Sequence, residues 1–95
     1  MSTDRTSRPR SASEDAALTR LGKNIQIARI EQEPKLPQDR LALEAGVARS
    51  HLAAIEAGTH NPSFVTLLHI ARALEVEPGK LFAGVDWQAL ERAPK

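Results

Sequence analysis

The chain has 95 residues, no cysteine and a formal net charge of +1. That length admits one small domain, the missing thiols exclude a disulfide framework and a thiolate metal site, and no signal-peptide pattern or apolar run of about 20 residues is present, so a soluble cytoplasmic protein without membrane contact is expected. With 41% hydrophobic but only 3% aromatic residues, the core has to be built from Leu, Ile, Val and Ala, which suits small, closely packed helices: the predicted class is all-α.

In chain order, the first segment, "MSTDRTSRPRSA" (residues 1–12), is rich in Ser and Thr and lacks apolar periodicity, as expected of a disordered basic arm. Its Arg5, Arg8 and Arg10 suit either an arm that follows a DNA backbone or a passive solvated tail, and the composition favours the tail. From Ser13, read as an N-cap, Glu14 and Asp15 complement the helix dipole, and Leu18, Leu21, Ile25 and Ala28 form one stripe. Pro34 ends that helix. In the connector "EPKLPQDR", Pro37 fits the first position of a second helix that runs to about Ala45, with Leu41 and Ala45 inward. Gly46 stops it, and a third helix is expected from Ala48 to Ala57, burying Leu52 and Ile55 and ending at Gly58. After the loop "THNP", Ser63 caps a fourth helix with Leu67, Leu68, Ile70, Ala71 and Leu74 on a wide apolar face. "VEPGKLF" predicts a short fifth helix with Pro78 in its first turn, in which Val76, Leu81 and Phe82 complete the core, and Asp86 opens a further turn. The resulting division is an arm over 1–12, a helical domain over 13–82 and a tail over 83–95.

The stretch "RLALEAGVARSHLAAIEAG" (Arg40 to Gly58) has the make-up of a helix-turn-helix. Leu41, Ala45, Val47, Leu52 and Ile55 fill the angle between two helices, Ala42 is small where the second helix crosses, and Gly46 admits the positive φ that redirects the chain. Such a unit lays one helix across a DNA backbone and projects the next into the major groove. An ordinary helical hairpin is the competing account, and it explains fewer of these positions.

The segments "LGKNIQIAR", "PQDRLALEAGVARSHLAAIEAGTHNPS" and "LLHIARALEV" together resemble the Xre family of bacterial and phage regulators, the group of Cro and the phage repressors, over Leu21 to Phe82. The resemblance implies a five-helix DNA-binding domain that acts as a homodimer on an inverted-repeat operator in double-stranded DNA, usually as a repressor. It makes the third helix the recognition helix, with Arg49, Ser50, Ala53 and Ala54 facing the bases. Chemically, Arg49 is the strongest reader, because a guanidinium gives guanine two parallel hydrogen bonds, whereas the alanine methyls meet a thymine methyl or keep the helix close. Gln38, Thr59, His60 and Asn61 match positions that contact the sugar-phosphate backbone, and His51 lies at the flank nearer phosphate than base. Arg29 and Glu56 match a structural ion pair that ties the first helix to the recognition helix.

Three features depart from the family pattern. The connector "IEQEPKLPQ" is two residues longer than usual, with Pro37 where Ser or Thr commonly caps, and Ala48 replaces a hydroxyl cap on the recognition helix. Between Pro37 and His60, Asp39, Glu44 and Glu56 outnumber Arg40 and Arg49. Catalysis is not expected: His51, His60 and His69 lack single-helix ligand spacing, and no Gly-rich phosphate loop or Ser/His arrangement stands apart from the helices. No cofactor or metal is called for. Val85, Trp87 and Leu90 are more apolar than a solvated end needs, which suits a dimerisation segment or, in the alternative reading of an antitoxin, a surface for a toxin or other regulatory protein.

Overall fold

Four α-helices, α1 (Ala12–Ile30), α2 (Gln38–Ala45), α3 (Arg49–Ala57) and α4 (Phe64–Leu74), are followed by two 3-10 segments, Pro78–Phe82 and Trp87–Ala89. The computed structural model describes residues 9–91, and among them there is no strand. Most of the expected basic arm, including Arg5 and Arg8, lies outside the described residues.

Helix α1 begins earlier than the Ser13 cap predicts. Ser11 is the N-cap: its Oγ accepts from the Glu14 N–H at 3.2 Å, and Glu14 Oε1 accepts from the Ser11 N–H at 2.8 Å. The Ser11-x-x-Glu14 spacing therefore forms a capping box, and Ala12 belongs to the helix rather than to the arm. A second boundary moves by one residue. Pro37 is the extended cap of α2 (φ −65°, ψ 157°), not its first helical residue.

Leu21 and Ile25 of α1, Leu41, Ala42 and Ala45 of α2, Leu52 and Ile55 of α3, and Leu67, Ile70, Ala71 and Leu74 of α4 form one buried cluster, closed by Leu81. Leu68 and Phe82 are not in it. Leu68 follows Leu67 by about 100° around the helix, so a core face set by Leu67, Ile70, Ala71 and Leu74 leaves it 38% exposed. The expected fifth helix is the five-residue 3-10 segment, whose tight turn inserts Leu81 and leaves Phe82 45% exposed.

Two glycines set the angles that matter. Gly46 ends α2 at φ 73°, a left-handed conformation that turns the chain toward α3 at no Cβ cost. Gly22 of α1 lies against the backbone of α3, where a Cβ would collide with the carbonyl oxygens of Ile55 and Glu56. Helix α1 thus seats directly on the C-terminal half of α3 and fixes what the rest of α3 presents to solvent.

Candidate nucleic-acid interface

Successive residues of α3 turn by about 100°, so Leu52, Ile55 and Glu56 share the inward side. Arg49 and Ser50 are exposed at the N-terminal end, and Ala53 and Ala54 are half-buried farther along the outward arc. The same arc includes exposed Ala57, four residues beyond Ala53. Ala57 was absent from the expected contact residues, although i, i+4 spacing is the signal that finds it.

The only carboxylate of α3 points inward. Glu56 Oε2 accepts from Arg29 Nε at 2.8 Å and its Oε1 from Arg29 Nη2 at 3.0 Å, a two-pronged pair with side-chain exposures of 12% for Arg29 and 3% for Glu56. Arg29 Nη1 also donates to the Leu36 carbonyl at 3.0 Å, and Gln38 Nε2 donates to Glu56 Oε1 at 2.9 Å. One guanidinium therefore ties α1, the long connector and α3 together, and the first residue of α2 joins the same carboxylate. A buried pair of this kind fixes geometry more than it adds net stability. It also removes the apparent acidic excess: Glu56 is neutralised from α1, and Glu44 is paired with Arg40 at 2.8 Å. Gln38 thus has one amide N–H committed inside the protein; an amide nitrogen carries a second.

Beyond α3 the chain turns through Gly58 into Thr59, His60 and Asn61, all exposed and followed by buried Pro62. Thr59 closes the C-terminus of α3, its N–H and Oγ1 both donating to the Ala54 carbonyl at 3.0 and 3.2 Å. His60 packs edge-on against His51, with ring centroids 4.4 Å apart and planes at 88°. His51 Nε2 is buried without a hydrogen-bond partner among the described residues. The sequence treats these histidines as separate contacts; the turn brings them together. At the same loop Arg10 Nη2 donates to the Thr59 carbonyl at 3.2 Å while its Nε pairs with Asp15 at 2.9 Å.

The apolar tail residues follow the first 3-10 segment. Val85 is half-buried, Trp87 is 70% exposed and Leu90 42% exposed. Asp86 caps the terminal turn by accepting from the Ala89 N–H at 3.3 Å.

Residues 22–87 match a family model described as a helix-turn-helix domain. The chain is 32% identical over 59 residues to the uncharacterized HTH-type transcriptional regulator y4dJ of Sinorhizobium fredii, covering 62% of this chain and 77% of that protein. It is 45% identical over 51 residues to the immunity repressor protein of Bacillus phage phi105, covering 54% of this chain but only 35% of the repressor. Among solved structures, the restriction-modification controller protein C.AhdI from Aeromonas hydrophila superposes with a TM-score of 0.64 at 35% identity, over 68% of this chain and 96% of the controller. A HTH_3 family transcriptional regulator from Vibrio cholerae superposes with a TM-score of 0.66 at 27% identity, over 74% of this chain and 38% of that one.

Proposed function

The chain belongs to the helix-turn-helix domain family, among its Xre-like DNA-binding transcriptional regulators, and we propose that it is a dimeric repressor that reads an inverted-repeat operator through α3. The observation that carries this reading is the solvent face of α3. It bears Arg49, a hydroxyl and small methyl groups and no carboxylate, because Glu56 is held inward by Arg29. A helix so equipped can approach base edges closely and present one guanidinium to them.

In this reading Arg49 recognises a guanine, Ser50 adds a weakly discriminating hydrogen bond, and Ala53 and Ala54 meet thymine methyls. The second amide N–H of Gln38, with Thr59, His60 and Asn61, contacts phosphates and sets the register without reading sequence, while His51, whose Nε2 is buried, packs against His60 and cannot reach a phosphate through that nitrogen. The DNA-binding domain runs from the start of α1 at Ala12 to Phe82, and the tail from Ala83 onward, through Val85, Trp87 and Leu90, holds two copies so that their recognition helices meet half-sites about 34 Å apart. No step requires catalysis or a cofactor.

Footprinting on the DNA flanking the protein's own gene tests the reading, with a protected inverted repeat as the expected result. Arg49→Ala should weaken binding to that site by about 1–3 kcal/mol and relax preference at one base pair in each half-site. A uniform loss on all sequences would reassign Arg49 to phosphate, and an unprotected flank together with unaltered binding would remove α3 as the reader.

A further inference from the structure

On the side of α1 away from α3, a groove of about 270 Å³ runs between that helix and the first 3-10 segment, lined by Asn24, Ile27, Ala28, Val76, Leu81 and Ala83. Its volume falls just under the ~300–1,000 Å³ typical of small-molecule pockets, which suits one large side chain better than a metabolite. Glu31 and Lys80 also line it. A carboxylate can accept from an indole N–H, and an ammonium can sit against an aromatic face, so a lining of this composition is compatible with an indole. The chain has a single tryptophan, Trp87, and it is 70% exposed.

That tryptophan does not fill the groove of its own subunit. The Asn24 amide donates to the carbonyls of Leu81 and Ala83 at 2.9 and 2.8 Å, pinning the chain at one end of the groove. Gly84 then passes beside the Arg20 side chain, one turn back toward the start of α1, while the groove extends the other way past Ile27 and Glu31. Trp87 is thus absent from the residues that line the groove, and its indole is left largely in solvent. An unfilled groove and an exposed indole on the same chain are the two halves that an isologous contact between two copies would need.

We propose that this groove receives Trp87 of a second copy of the chain, and that the exchange is reciprocal. The proposal rests on the dimeric reading above and names the two surfaces that meet. Leu90, 42% exposed, extends the contact beside the indole.

Sedimentation of the full chain over a concentration series, read together with the emission of the single tryptophan, tests it. Wild-type protein should form dimers, and its emission should shift to shorter wavelength as they form. Trp87→Ala, and separately Ile27→Glu at a half-exposed groove position, should each weaken association at least about tenfold while keeping helical circular dichroism. Mixing the two variants should restore part of the association, because one protomer then contributes an intact groove and the other an intact indole. Dimers that neither variant loosens, or variants that do not complement each other, would overturn the exchange and leave the dimeric reading standing. Wild-type protein that stays monomeric at every concentration would overturn both.

Discussion

Two of the four α-helices close their own N-termini and two do not. Ser11 and Ser63 cap α1 and α4 through bonds to the N–H groups of Glu14 and Thr66, whereas Pro37 and Ala48 begin α2 and α3 without a side-chain cap. The helices that form the scaffold are finished locally. Those of the helix-turn-helix are held by tertiary contacts instead: α3 by Leu52 and Ile55 in the core, by Gly22 against its carbonyls and by Arg29 on Glu56. The difference separates two ways of stabilising a short helix, and it leaves N–H groups unclaimed by side chains on the two helices that the proposed function places on DNA.

The strongest way to break this contrast is at Arg29. Arg29→Met should cost about 3–5 kcal/mol in denaturant unfolding, because it leaves the Glu56 carboxylate buried with only Gln38 beside it. Arg29→Met combined with Glu56→Leu should recover much of that loss, since no unpaired charge then remains. A single variant that melts like the wild type but changes base preference would mean that Arg29 acts on DNA rather than on α3. Next in size is Gly22→Ala. Alanine is the better helix former by about 1 kcal/mol, yet the new Cβ meets backbone oxygens that cannot rotate away, so a net loss of about 1–3 kcal/mol is expected in the same assay. A gain would show that α1 slides freely over α3.

The same contrast explains what was legible in the sequence. Apolar periodicity located all four α-helices, and Gly46 and Gly58 marked the ends of α2 and α3, because these signals are local. The start of α1 was legible too, in Ser11-x-x-Glu14, but Ser13 before two acidic residues offered a competing cap. Leu68 and Phe82 are apolar residues beside buried neighbours, and only the packed faces of α4 and the 3-10 segment decide that they stay outside. The meeting of His51 with His60 depends on the path of the chain through Gly58, and no spacing rule encodes it. For the α3 face, the exposed residues followed from helical geometry, whereas the pairing of Glu56 with Arg29, 27 positions away in α1, was legible only through the family resemblance, because no local spacing encodes it.

The smallest expected effect bears most directly on the uncapped ends. Ala48 has the extended backbone of an N-cap, φ −66° and ψ 145°, close to Ser63 at −69° and 158° and Ser11 at −74° and 166°. A hydroxyl introduced by Ala48→Ser is therefore already placed to accept from the N–H of His51, the third residue of α3, as the two serines do in their own helices. The gain should be about 1 kcal/mol at most, and Ser11→Ala should lose a similar amount, so thermal melts of the two variants should move in opposite directions. DNA binding sharpens the result. If a phosphate uses the N–H groups at the start of α3, the new cap competes with it, and Ala48→Ser stabilises the free protein while weakening the complex. If affinity is unchanged while stability rises, the backbone contacts come from α2 and the Thr59 loop, and the bare end of α3 is only a helix that its neighbours hold in place.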